Sequence, residues 1–296
     1  MPVRTDHSRY DLAVAYRIYP QVAKPALGLP FSDDKFQLAE ICLSSLKQSL
    51  GDLRARVWVL LDGCPSEYVD LFRRYFDAQD LVFIPLAGVG NVATFAKQVE
   101  ILLAQEDSNI VYFAEDDYFY LPGEFSSMIN FLSDHEDVHF VSPYDHLDCY
   151  TMDLHRTAKW LKVHGGRHWR TAASTCLTFL TDKETLRKTE RVFGKYRRTS
   201  LDCSIWLSLT KQRVCNPSFL GTHLIHERRF AKIILKSWLY CWGQILGGRR
   251  WKLWVPVPAV ATHLDINALS PNVDWRSLME QASRQLVKKV PVAKCS

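Results

Sequence analysis

Short apolar runs alternate with stretches of helical periodicity through the first 120 or so residues, and this alternation restricts the fold more than any other feature of the chain. The runs are residues 12–19, 55–61, 81–85 and 111–114. Between the first two, Phe36, Ala39, Leu43, Leu46 and Leu50 recur on one helical face, opened by Ser32-Asp33-Asp34 and stopped by Gly51. Between the last two, Val92, Phe95, Ala96, Val99 and Leu103 do the same after Gly88-Val-Gly90. Strands separated by amphipathic helices predict an α/β fold whose parallel sheet is wound by right-handed crossovers.

The fourth run ends abruptly in Glu115, Asp116 and Asp117. Open α/β sheets bind ligands beyond the carboxyl ends of their strands, and residues i and i+2 of a strand share a face. Carboxylates in that place suit Mg²⁺ or Mn²⁺, which keep waters and complete their shells with substrate phosphates, so a nucleoside diphosphate is the expected substrate. The competing reading is a solvated turn or a helix-capping cluster.

Composition narrows the remaining choices. A chain of 296 residues with 47% hydrophobic content can bury one or two compact cores. The first 20 residues are interrupted by Arg4, Asp6, His7, Arg9 and Asp11, unlike a secretory signal, and no run reaches the roughly 18 uncharged residues that span a bilayer. Cysteines at 42, 64, 149, 176, 203, 215, 241 and 295 form no Cys-x-x-Cys pair, which argues for reduced thiols and a cytoplasmic setting. Net charge is +5, yet residues 228–252 alone carry seven cations and no acid.

Three motifs in order resemble the nucleotide-sugar glycosyltransferases of the GT-A fold, especially family-2-like members. They are Val-Leu-Leu-Asp-Gly-Cys-Pro (59–65), Gly-Asn-Val-Ala-Thr-Phe-Ala-Lys-Gln (90–98) and Phe-Ala-Glu-Asp-Asp-Tyr (113–118), the last similar to an Asp-x-Asp metal motif with Glu115 in the first position. The resemblance implies a Rossmann-like nucleotide-binding sheet followed by an acceptor-binding part, in one domain over 1–296. Within it, about 10–122 is the nucleotide-sugar half, about 123–225 the acceptor half, and about 226–296 a helical, basic and aromatic extension. It also implies that Asp62, Lys97, Asp116 and Tyr16 contact the nucleotide sugar and that Glu115 and Asp117 ligate Mn²⁺ or Mg²⁺. Asp62 also reads as an Asp-Gly turn residue, and Lys97 as a surface lysine.

The segment 165–180 combines a basic, aromatic loop with a β-rich stretch. The resemblance makes Trp169 a stacking platform for an acceptor sugar and Arg170 a contact to an acidic group, with core packing as the alternative. At 200–206, Asp202 occupies the place from which inverting enzymes of this type present a general base, although an acid at a helix start also serves as a cap. Residues 213–223 read as a strand-like return ending in His223, a further metal ligand by the resemblance. His263 competes for that role or for holding the leaving diphosphate.

Arg228, Lys232 and Lys236 share one helical stripe and Trp238 and Trp242 an adjacent one, which reads either as attachment to an anionic membrane surface or as a core helix. Nucleic acid is not an expected partner, because net basicity is small and no reading motif accompanies the patch. The expectation is therefore an inverting, metal-dependent glycosyltransferase that moves a sugar from a nucleotide-diphosphate donor to a polysaccharide or lipid-linked glycan, cytoplasmic and peripheral at the inner membrane face. Two other readings stand beside it: a GT-A-like module that binds without catalysis, and a metal-dependent phosphohydrolase using Glu115, Asp116, Asp117, His223 and His263.

Overall fold

The computed structural model describes residues 9–21, 34–226 and 228–289. Strand β1 (Leu12–Ile18) is buried at all seven positions, as a central parallel strand covered on both faces must be. Its even-numbered side chains pack with helix α1 (Lys35–Leu50) in one core. Its alanines, Ala13 and Ala15, pack on the opposite face. Asp34 caps α1 by accepting from the Gln37 amide, and Gly51, at φ +57°, ends it.

The chain continues through β2 (Ala55–Asp62), α2 (Glu67–Arg73), β3 (Leu81–Leu86), α3 (Asn91–Ala104) and β4 (Ile110–Glu115). These strands lie in the order β3-β2-β1-β4, all parallel, so the expectation of an α/β, Rossmann-like sheet is met. Phe95, Val99 and Leu102 of α3 fill the core beneath Ala13 and Ala15.

Next come β5 (Tyr118–Tyr120), α4 (Phe125–Ser133), β6 (Phe140–Val141), α5 (Asp148–Thr151), β7 (Leu161–His164), β8 (Arg167–Ala172) and β9 (Phe179–Asp182). Helices α6 (Lys183–Phe193), α7 (Tyr196–Thr199), α8 (Asp202–Thr210), α9 (Pro217–His226) and α10 (Arg228–Gly247) follow, then β10 (Leu253–Val257), β11 (Ala261–His263) and α11 (Trp275–Lys289). The large sheet runs β3-β2-β1-β4-β9-β6-β10-β8-β7, and β5 pairs separately with β11. Residues 226–289 thus contribute strands as well as helices. Two details differ from the sequence reading. The basic loop is a tight hairpin, Gly165 and Gly166 both taking positive φ between β7 and β8, as a two-residue turn requires. The strand-like return at 213–223 is instead a turn over 213–216 that leads into α9.

Candidate active site

β1 pairs with β2 on one side and β4 on the other, so the chain winds outward through β2 and β3 and then crosses back to the opposite side of β1. Such a reversal opens a crevice beyond the carboxyl ends of the strands. A cleft of about 380 Å³ lies there, walled by Arg17–Tyr19, Asp62, the Gly88–Thr94 turn and the three acids. A larger hollow of about 710 Å³, between α3 and α6, holds none of these groups.

Each acid ending β4 has its own cation. Glu115 binds Arg17 through one oxygen and accepts from the Thr178 hydroxyl, 2.7 Å away, through the other. Asp116 accepts from the Tyr19 amide at 3.0 Å and from Lys35 at 2.8 Å; that carboxylate raises the Lys35 pKa against the effect of burial. Asp117 Oδ2 lies 3.0 Å from His263 Nε2. Burial alone would lift the Asp117 pKa, but the His263 charge brings it to about 2; burial would depress His263, and Asp117 carries it to about 9. Arg17 also reaches the backbone and side chain of Asn91. Neither Arg17 nor Lys35 was singled out from the sequence, although Arg17 is the one charge in an apolar run.

Asp62 lines the cleft, with both oxygens engaged: Oδ1 accepts from the Val89 amide at 2.6 Å and Oδ2 from the Gly90 amide at 2.8 Å. These bonds hold a turn in which Gly88 and Gly90 take φ of +73° and +81°, open to glycine and strained for side chains with a Cβ. The turn leads straight into α3, which begins at Asn91 without a side-chain cap. Lys97 lies away from the cleft, paired with Glu100 at 2.7 Å. Its neighbour Gln98 turns inward and bridges β1 and β4 through the Ala15 and Ala114 carbonyls. Tyr16 is buried edge-on against Phe72 and does not line the cleft; its hydroxyl has no hydrogen-bond partner.

Asp202 is the first residue of α8; the cap position belongs to Leu201, so the helix-cap alternative is not realised. Burial, and then the Glu115 charge, push the Asp202 pKa up to about 6, while Arg17 and a hydrogen bond from the Tyr196 hydroxyl pull the other way. Asn91 Nδ2 in turn donates to that hydroxyl at 3.3 Å. Arg17, Asn91, Tyr196 and Asp202 therefore form one polar chain from the end of β4 to the start of α8.

Trp169 and Arg170 do not take the acceptor-facing places expected of them. Trp169 is fully buried, stacked on Phe131 at 4.1 Å with its indole N–H donating to the His164 carbonyl, and so has no face left for a sugar. Arg170 is buried against Asp145 and lies over the Tyr150 ring. The His223 side chain lies outside the described residues.

The expected metal set is only partly gathered. Glu115 is taken up by Arg17 and Thr178, and among the described residues no three His, Cys, Asp or Glu side chains converge as a metal site. Asp117 and His263 do fit a divalent cation. Asp117 Oδ1 is buried with no partner, and the adjoining Oδ2 and His263 Nε2 face one another. Two protein ligands suffice for Mg²⁺ or Mn²⁺ when phosphates and waters supply the rest, with His263 giving up its proton.

No protein-family profile matches the chain, and no curated protein does. Among solved structures it is similar to the apo glycosyltransferase GlyE of Streptococcus pneumoniae, at 13% identity and TM-score 0.44 over 92% of this chain and 60% of that one. It is similar to residues 1–349 of S. aureus TarS, at 14% identity and TM-score 0.39 over 61% and 49%. It is also similar to a cytidylyltransferase of Leptospira borgpetersenii, at 12% identity and TM-score 0.33 over 62% and 64%. The chain spans less than two thirds of the length of each. At these identities and scores none of the three assigns a substrate or a reaction.

Proposed function

We propose that the chain is an inverting, divalent-metal-dependent glycosyltransferase of GT-A type, passing a sugar from a nucleotide-diphosphate donor to a polysaccharide or lipid-linked glycan. The observation that carries this reading is that two halves of a displacement reaction meet around the acid cluster that walls the cleft, Asp202 being joined to it through Tyr196, Asn91 and Arg17. On one side lie features that suit a diphosphate: an uncapped helix start at Asn91, Lys35, and the Asp117–His263 pair. On the other lies Asp202, a carboxylate whose pKa of about 6 leaves it ionised yet basic at neutral pH.

The residues divide the work accordingly. The Gly88–Gly90 turn, fixed by Asp62, presents the α3 amides to the donor phosphates. Asp202 takes the proton of the acceptor hydroxyl as its oxygen bonds to the anomeric carbon, and the bond to the diphosphate oxygen breaks with its electron pair leaving on the nucleotide. Attack from the side opposite the leaving group inverts the anomeric configuration. Tyr196 and Asn91 orient the base, and Arg17 keeps Glu115 neutralised beside it. When bound at Asp117 and His263, the metal offsets the charge that builds on the departing diphosphate.

The test is a panel of nucleotide sugars with and without Mn²⁺, read first as a melting-temperature rise and then as transfer. Asp202→Asn should keep the donor-induced rise while transfer falls about 10²–10⁴-fold, the range for a lost general base. Near-normal turnover in that variant, or a product retaining the donor's configuration, removes Asp202 from the mechanism.

A further inference from the structure

We propose that the outer face of α10 docks on the surface of an anionic lipid bilayer. The inner face of this helix is buried through Phe230, Ile233, Ile234, Ser237, Cys241 and Ile245. Its outer face carries Leu235, Leu239, Trp242 and Leu246, exposed by 51, 66, 62 and 66%, with no element of the described residues over them. Cys241, at φ −124° and ψ 19°, kinks the helix between Leu239 and Trp242, and exposed apolar side chains stand on both sides of the kink. Leu235 and Leu239 before the kink, and Trp242 and Leu246 after it, each pair four residues apart, make up an exposed apolar seam of the kind that marks an interaction surface.

Charge identifies the partner. Exposed Arg228, Arg229 and Lys232 stand at one end of the seam and Arg249 and Arg250 at the other, with no acid in residues 228–252. Arg197 and Arg198 of α7, which packs beside α10, add two more exposed cations. An apolar centre between cationic ends matches acyl chains beneath anionic headgroups. A second copy of the chain fits poorly, since pairing the seams in either direction sets cations against cations. The contributors differ from those read in the sequence: Lys236 turns in to the Thr199 carbonyl and Trp238 to the Val214 carbonyl, 2.7 Å away. Docking is independent of the transfer reaction, but the inner face of α10 packs on α8, whose first residue is Asp202. The lipid surface would thus lie one helix layer from the helix that carries Asp202.

The test is co-sedimentation of the full chain with vesicles of phosphatidylcholine alone or mixed with phosphatidylglycerol. Wild type should pellet with the anionic vesicles, less so at high salt. Lys232→Ser should weaken partition roughly five-fold and Leu239→Ser with Trp242→Ser at least about ten-fold, both with unchanged melting temperature and donor response. Should the double variant fail to fold, Leu235→Ser alone serves, with a smaller loss. Wild type left in the supernatant, or bound equally to neutral vesicles, overturns the proposal. So does a solution dimer that Leu239→Ser dissociates, which would make the seam a self-interface.

Discussion

Arg17 is the side chain on which the acidic end of β4 most depends. It is buried, and Glu115 takes one of its two oxygens' partners from it. Arg17→Met keeps the volume but leaves Glu115 part-buried without its cation. We expect a loss of about 3–5 kcal/mol in denaturant unfolding, partly recovered by adding Glu115→Gln, which removes the orphaned charge. A second substitution that recovers nothing would mean that Arg17 acts by packing alone. At this scale the sequence was legible where chemistry is local. The acids announce themselves because an apolar strand stops at them, and Asp62 because it opens a turn. Arg17 and Lys35 were missed because their partners lie far along the chain, 98 residues away for Arg17 and Glu115, and no local pattern says which strand ends adjoin.

Among the elements, those with a simple period were readable and those set by tertiary contact were not. The helices α1 and α3 follow from apolar spacing, a cap and a glycine stop. In β8, an aromatic beside cations suggested a binding platform, whereas the strand is covered on both faces and Trp169 is stacked inside the core. Trp169→Ala should therefore cost about 3–5 kcal/mol of stability, with the donor-induced melting shift preserved. A stable variant with weakened acceptor affinity would restore the platform. For α10, the stripe of cations was visible in the sequence, but not that Lys236 and Trp238 face inward, because a helix does not declare how it is rotated against its neighbours.

Taken whole, the molecule joins strands from early and late in the chain, β1 and β10, in one sheet. His139 sits just before β6, at the seam with the returning C-terminal strand; the Lys252 amide donates to its Nδ1 at 3.0 Å and its Nε2 is buried without a partner. Burial, then Arg249 and Lys252, hold its pKa down at about 4. The unfolded chain takes up this proton near pH 6.5 and the folded chain only near 4, so the imidazole lowers stability as pH falls through that window. The stability of wild type relative to His139→Gln should accordingly drop by about 3 kcal/mol between pH 6.5 and 4, read from urea unfolding at each pH. A pH-independent difference would place the imidazolium comfortably in the fold. The four-strand parallel half was legible because its crossovers are consecutive. The seat of β10 was not, since nothing near residues 253–257 names β6 and β8 as its neighbours.

That seat has a consequence for how the protein is made. The hairpin of β7 and β8 touches the rest of the large sheet only through β10, because β8 has β7 on one edge and β10 on the other. On the ribosome β1 to β4, β6 and β9 form an unbroken run of the sheet once β9 has emerged, whereas the hairpin must wait for a strand translated after five intervening helices. The last strand to enter the large sheet is an interior one, and assembly finishes from within rather than at an edge.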